Sequence, residues 1–131
     1  AASNEILITL NLGKSEAVRS GRSTLLCKSP NGNQCDNGAS WANGLLLFQD
    51  DDNDGTVSND ERIIKVIPAS EESLNFAHTG SSPNNIRFNA NGHTNSNGHF
   101  CFYNSYQQEN SRAVVFTQSG RIHAEKRTYD C

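Results

Sequence analysis

The amino-acid sequence predicts an α+β protein in which one N-terminal helix precedes a mainly antiparallel sheet. Two observations support this fold class. Apolar and small residues recur with helical spacing at the start of the chain, and from residue 23 onward short apolar runs alternate with turn residues. One helix followed by closely spaced strands is typical of an α+β domain. The sequence has no internal repeat and no long linker, so residues 1–131 are expected to form a single domain.

The helix is predicted over residues 4–19. One stripe of this segment combines apolar with small side chains, which suits close packing against a sheet; its members are Ile6, Leu10, Gly13 and Ala17. Ser3 or Asn4 would cap the first turn. Gly21 would end the helix in the left-handed conformation.

Eight short strands are predicted in the β-rich region, residues 23–131. Their expected ranges are 23–28, 41–48, 62–67, 74–78, 86–89, 100–103, 113–117 and 122–126. Turn residues separate the runs, and the pairs Asn91-Gly92, Asn97-Gly98 and Ser119-Gly120 favour tight connections between antiparallel strands. The sequence therefore predicts sheets built largely from strands that are neighbours along the chain.

Composition and charge exclude some classes of function. The formal net charge is −3, whereas a protein that holds nucleic acid over a broad basic face usually carries the opposite sign. Any polyanion site is therefore expected to be small and local. No G-x-S-x-G motif is present, and the four histidines do not fall into a recognisable catalytic set. We therefore expect a protein that is not an enzyme.

The cysteines predict an oxidising compartment. The chain has four, Cys27, Cys35, Cys101 and Cys131, with no C-x-x-C pair and no zinc-finger spacing to histidine. Chain order favours the disulfides Cys27–Cys35 and Cys101–Cys131, although four cysteines allow three pairings and four reduced thiols are the alternative. The second disulfide would fix the last residue of the chain to a strand.

The sharpest local motif is an acidic segment, DDDNDGTVSNDE at residues 50–61. It satisfies the spacing of a calcium-binding EF-hand loop, with ligands expected from Asp50, Asp52, Asp54, Thr56, Ser58 and Glu61. An EF-hand, however, needs a helix on each side, and strands are predicted here. The favoured interpretation is an exposed acidic turn without a dedicated metal, although bound cations would relieve its charge repulsion. No cofactor is expected.

Five segments, taken in chain order, match one protein family. The first is KSEAVR at 14–19. The second combines LC at 26–27 with Cys35 and WANG at 41–44, and the third combines FQD at 48–50 with DG at 54–55 and DERI at 60–63. The fourth is IRFNANG at 86–92, and the fifth is SGRI at 119–122. The ordered set covers nearly the whole chain. It resembles the type IV minor pilins and type II secretion pseudopilins of the GspH/FimT kind. The paired cysteines and the final Asp130-Cys131 are more similar to pilus subunits of the FimU/FimT type.

This resemblance implies a pilin-like head and a structural function. The expected function is that of a minor pilin which primes or caps a type IV pilus, with other minor and major pilins as partners. The resemblance also implies a preceding apolar helix that anchors the subunit in the inner membrane, with the head in the periplasm or outside the cell. The alternatives are a DNA-binding minor pilin used in natural transformation and a type II secretion minor pseudopilin.

The DNA-binding alternative depends on the C-terminal region. In FimT-type pilins a G-R-x-R motif is associated with binding of incoming DNA; here Arg121 matches the first arginine and His123 stands at the second. Histidine is mostly neutral at pH 7 and holds phosphate less firmly than arginine. Lys126 and Arg127 would add positive charge, whereas Glu125 shares the face of Arg121 and His123. An ordinary solvated strand face is the favoured interpretation.

Overall fold

The structure is a computed structural model. It describes residues 2–36, 38, 44–50, 57, 61–68, 74–80, 85–95, 97–104 and 111–127, and of these only the backbone for 2–4, 74–80, 101–104, 111–112 and 126–127. Within those ranges it contains one helix and eight strands, so the predicted α+β class and its antiparallel sheets are confirmed.

Helix α1 spans Ala2–Ser20 and is longer at both ends than predicted. Ser3 and Asn4 lie inside it, so the prediction that one of them caps the helix was wrong. The C-terminal prediction is confirmed: Gly21 has a φ of 71° and donates its N–H to the carbonyl oxygen of Ala17 at 3.0 Å. Ile6, Leu10, Gly13 and Ala17 are all buried, as the stripe predicts.

The strands agree with the predicted ranges to within a few residues. They are β1 Thr24–Lys28, β2 Gly44–Gln49, β3 Ile63–Pro68, β4 Leu74–Gly80, β5 Asn85–Phe88, β6 Gly98–Asn104, β7 Ser111–Phe116 and β8 Ile122–Arg127. The first sheet has the order β3-β2-β1-β5 and the second sheet β4-β6-β7-β8. Every pairing is antiparallel, and the register shifts once, between Leu47 and Phe48 of β2, where β3 carries a bulge.

The main core lies between α1 and the two sheets. Helix residues Ile6, Leu10 and Ala17 pack with alternate residues of the first sheet and with aromatic and aliphatic residues of the second; the strand members are Leu26, Leu45, Leu47, Ile86, Phe88, Phe100, Val114 and Phe116. The helix contacts β1, β2 and β5 as well as β7 and β8. One buried stripe of α1 therefore holds both sheets together.

The opposite face of the first sheet carries a smaller core. Leu25, Cys27, Leu46 and Phe48 are buried there, with Cys35 and Val57 packed against them. Strands β1 and β2 are therefore covered on both faces, which explains why their sequences are nearly continuous apolar runs. In the part of the chain that the structure describes, α1 is the one helix, and it is too polar to cross a membrane.

Candidate functional site

The face of α1 that points away from the sheets is the first candidate surface. We define this outer helix face by Ile8, Asn11, Ser15 and Arg19, all of which are exposed. Ile8 is 58% exposed although it is a large aliphatic residue. Val18 is 53% exposed and points towards the turn at Gly92. A single exposed aliphatic side chain is ordinary on a protein surface, so Ile8 gives this face an apolar position without making it an interface by itself.

Ion pairs tie the helix to the neighbouring strand β3. The carboxylate of Glu16 accepts hydrogen bonds from Arg19, at 2.6 Å, and from Arg62, at 2.9 Å. Lys65 of β3 lies 3.8 Å from Glu5. These contacts fix β3, an outer strand of the first sheet, along one side of α1. Because the pairs are largely exposed, we assign them a role in alignment and little net stability.

Strand β3 carries the second exposed apolar group. Ile63 is 40% exposed and Val66 is 44% exposed. Both lie on the face of the first sheet opposite the helix, since their partners in the register, Phe48 and Leu46, belong to the smaller core. An outer strand with exposed β-branched residues is a surface on which other chains can pack.

The turn before β8 presents Arg121, the first residue of the predicted DNA-binding set. Gly120 has a φ of 88°, and the Nζ of Lys14 in α1 donates a hydrogen bond to its carbonyl oxygen at 2.9 Å. A second glycine turn, at Gly92, packs directly against Gly120. Helix and turns therefore hold the backbone of Arg121 while its side chain stays exposed.

The other members of that set lie along β8. His123 is exposed, and its Nε2 lies 3.6 Å from a carboxylate oxygen of Glu125. The backbone of Lys126 and Arg127 continues the strand, and their side chains are outside the described residues. The local charge next to Arg121 is thus mixed, as the sequence suggests, and the DNA-binding role stays a prediction.

The acidic segment is anchored by two contacts. Asp50 is completely buried, and its Oδ2 accepts a hydrogen bond from Arg87 at 2.8 Å. The amide side chain of Gln34 bonds both the N–H and the C=O of Val57, at 3.1 and 2.8 Å. Of the predicted calcium ligands, Asp50 and Glu61 are described; Asp52, Asp54, Thr56 and Ser58 lie outside the described residues.

The predicted calcium site therefore stays a prediction. Among the residues that are described, no three histidine, cysteine, aspartate or glutamate side chains come together as metal ligands. Little in the sequence indicates that Arg87 is the partner of Asp50. The one indication is the arginine between Ile86 and Phe88, two apolar residues that the alternation of a strand predicts to be buried.

One disulfide closes the loop that follows β1. Cys27 and Cys35 are bonded, as chain order favours, with their α-carbons 5.6 Å apart. The loop also turns on itself through Ser29, whose Oγ donates to the carbonyl oxygen of Gln34 and accepts from the N–H of Gly32. The predicted Cys101–Cys131 bond depends on side chains outside the described residues.

One family model and three solved structures are similar to this chain. A family model described as type II transport protein GspH matches residues 2–120. Two crystal structures of the type IV minor pilin FimU from Pseudomonas aeruginosa resemble this chain over 95% of its length. The first has a TM-score of 0.68 and 20% sequence identity, with 90% of the FimU chain covered. The second has a TM-score of 0.69 and 19% sequence identity, with 85% of the FimU chain covered. The minor pseudopilin EpsH from the type 2 secretion system of Vibrio cholerae has TM-score 0.64 and 14% identity over 95% of this chain and 94% of its own. The curated proteins contain no match.

Proposed function

This chain belongs to the GspH family, and on that premise we propose that it is a minor pilin, a structural subunit that primes or caps a type IV pilus. The observation that carries the proposal is the division of α1 into two faces. One stripe is buried against both sheets, while the outer helix face leaves Ile8 exposed. The outer helix face can therefore pack against a neighbouring subunit while the buried stripe keeps its contacts with the two sheets.

The family and the cysteines support a location for the head. We propose that the head lies in the periplasm or outside the cell and that a preceding apolar helix anchors the subunit in the inner membrane before assembly. The Cys27–Cys35 bond supports this location, because disulfides persist in oxidising compartments and are rare in the cytosol. The proposed mechanism is assembly: α1 and β3 select which neighbouring pilin fits. No catalytic step is part of it.

Ile8→Lys in the host's chromosomal copy tests this role of the helix. The substitution places a charge on the outer helix face at a position that is already exposed, so the fold should tolerate it within about 0.5 kcal/mol. We expect fewer surface pili by electron microscopy. Asn11→Lys, which places the same charge beside it on a polar position, is the matched control. Equal pilus numbers in the wild type and the Ile8→Lys strain would show that the outer helix face has no role in pilus assembly.

A second candidate is a minor pseudopilin of a type II secretion system. The description of the family model and the likeness to EpsH support it. The two candidates make opposite predictions for a deletion strain: loss of pili with normal secretion supports the pilus subunit, and loss of secreted proteins with normal pili supports the pseudopilin.

The third candidate is a minor pilin that binds DNA during uptake. Its support is the exposed Arg121 on a turn that Lys14 holds in place. An electrophoretic shift assay at low salt, where phosphate contacts are strongest, tests it. Arg121→Ala and Lys126→Ala should each weaken a genuine DNA complex, whereas the control Arg19→Ala on the helix should not. Absence of any shift by the wild-type head would remove this candidate.

A further inference from the structure

Asn31 and Gly32, in the loop that the disulfide closes, form a pair that can modify itself. The sequence contains Asn-Gly pairs at 31–32, 37–38, 43–44, 91–92 and 97–98. In such a pair the backbone nitrogen of glycine can attack the side-chain Cγ of asparagine, because glycine has no side chain to block the approach. A bond forms from that nitrogen to Cγ, the bond from Cγ to the amide nitrogen breaks, and ammonia leaves with the proton of the glycine N–H. Water then opens the succinimide ring to aspartate or isoaspartate.

The turn holds the side-chain carbonyl of Asn31 in a way that favours this attack. Asn31 is exposed, and its Oδ1 accepts hydrogen bonds from the backbone N–H groups of Asn33, at 2.8 Å, and Gln34, at 3.1 Å. Donors on a carbonyl oxygen stabilise the negative charge that develops there when a nucleophile adds to the carbon. The turn therefore prepares the electrophilic half of the reaction.

Ser29 holds back the nucleophilic half. The N–H of Gly32 donates to Oγ of Ser29 at 3.0 Å, and both residues are buried. The Ser29 hydroxyl in turn donates to the carbonyl oxygen of Gln34 at 2.6 Å, so its orientation is fixed. The glycine nitrogen attacks only after losing its proton. Here that loss would break a buried hydrogen bond and leave a charge away from solvent, which is costly.

The pair Asn91-Gly92 provides an internal reference. Gly92 is buried and has a positive φ, like Gly32, and Oδ1 of Asn91 accepts a hydrogen bond from the N–H of His93 at 3.0 Å. The N–H of Gly92, however, donates to the backbone carbonyl oxygen of Asn89 at 2.9 Å. A change of the Ser29 side chain therefore removes the acceptor of one glycine N–H and leaves the other pair as it is.

We propose that Asn31-Gly32 is a deamidation site whose rate is set by the hydroxyl of Ser29. While Ser29 accepts the N–H of Gly32, Asn31 keeps its amide. When that bond is lost, the polarised carbonyl of Asn31 is attacked, and the product places a carboxylate in the turn between β1 and Cys35. The proposed site is independent of pilus assembly, because the modification is read on the head alone.

Peptide mass spectrometry after prolonged incubation at mildly alkaline pH tests the proposal. Loss of the amide is followed separately at Asn31 and at Asn91. In the folded wild type, Asn31 should deamidate at least about tenfold more slowly than in the reduced chain unfolded in urea, since the turn must open first. Ser29→Ala should raise the rate at Asn31 roughly fivefold, the factor that corresponds to the net loss of one hydrogen bond, and leave the rate at Asn91 unchanged.

Ser29→Thr is the matched control, because it keeps the hydroxyl and should keep the wild-type rate at Asn31. The proposal would be overturned by equal rates at Asn31 in the folded and unfolded wild type, by a wild-type rate in Ser29→Ala, or by equal acceleration in Ser29→Ala and Ser29→Thr. If Ser29→Ala does not fold, both asparagines accelerate together, and hydrogen exchange of the Gly32 N–H in the folded wild type decides. Slow exchange supports the bond to Ser29, and exchange as fast as in the unfolded chain overturns the proposal.

Discussion

Gly13 of α1 lies directly against the ring of Phe88 in β5: a Cβ on Gly13 would stand 2.8 Å from two carbon atoms of that ring and 3.2 Å from a methyl group of Leu47. The carbonyl oxygen of Gly13 also accepts a hydrogen bond from the hydroxyl of the buried Thr24 at 2.8 Å. The helix therefore approaches the first sheet as closely as a residue without a side chain allows. Both neighbours of the missing Cβ are fully buried, so neither has room to move away.

Gly13→Ala is accordingly expected to destabilise the protein, even though alanine is the better helix former. Helix propensity alone would favour alanine by about 1 kcal/mol. Overpacking against Phe88 costs roughly 1–3 kcal/mol. We expect a net loss of up to about 2 kcal/mol in the free energy of unfolding, measured by urea denaturation. Gly38→Ala is the control: that glycine is exposed, its nearest neighbour is a carboxylate oxygen at 3.4 Å, and its change should stay within about 0.5 kcal/mol.

The contact between the two glycine turns gives a second prediction. A Cβ on Gly120 would collide with the backbone of Gly92, and the φ of 88° at Gly120 is itself unfavourable for other residues. Gly120→Ala should therefore lower the free energy of unfolding by more than about 2 kcal/mol. Gly21→Ala separates the two causes, because Gly21 also has a positive φ but no atom within 4 Å of its Cβ position. It should cost only about 1 kcal/mol, and an equal loss in both variants would contradict the collision.

Lys14 provides a third prediction. Lys14→Met keeps most of the aliphatic stem but removes the hydrogen bond from Nζ to the carbonyl oxygen of Gly120. The expected loss is about 1 kcal/mol, since the bond is partly buried and has a charged donor. Lys65→Met, which removes a longer and more exposed pair with Glu5, should change stability by less than about 0.5 kcal/mol. Equal effects of the two substitutions would show that Lys14 contributes only a surface charge.

The Cys27–Cys35 bond gives the fourth prediction. The two residues are separated by 8 positions, and closing a loop of that size restricts the unfolded chain by about 2.5 kcal/mol. The double variant Cys27→Ala/Cys35→Ala should lose at least that amount, because Cys27 also packs in the smaller core. Thermal melting with and without reductant checks it. Should the double variant melt within a few degrees of the wild type, the bond would have no stabilising role.

Much of the fold could be predicted from the sequence because each element carries a strong local signal. The buried stripe of α1 shows helical spacing, and Gly21 ends the helix where a left-handed residue is needed. The apolar runs of β1 and β2 indicate strands. The start of the helix was misplaced because Ser3 and Asn4 are typical capping residues, yet both lie within α1.

The long-range contacts could not be predicted in the same way. The pairing of Asp50 with Arg87 joins residues 37 positions apart, and that of Lys14 with Gly120 joins residues 106 positions apart. Their geometry depends on the order of strands in the first sheet and on the way α1 lies across both sheets, which local patterns do not encode. The acidic segment matches the spacing of a calcium loop, but its own sequence does not reveal the ion pair of Asp50. The partner, Arg87, lies in β5, which is two strands from β2 in the first sheet.

As a proposed minor pilin, the protein is expected to be a structural subunit of a pilus. The most direct measurement is an immunoblot for this chain on filaments sheared from wild-type cells, together with pilus counts on a deletion strain. We expect the chain to be present in the sheared filaments. Deletion should reduce the number of pili, and complementation with the wild-type gene should restore it. Absence of the chain from the filaments, together with unchanged pilus numbers in the deletion strain, would contradict it.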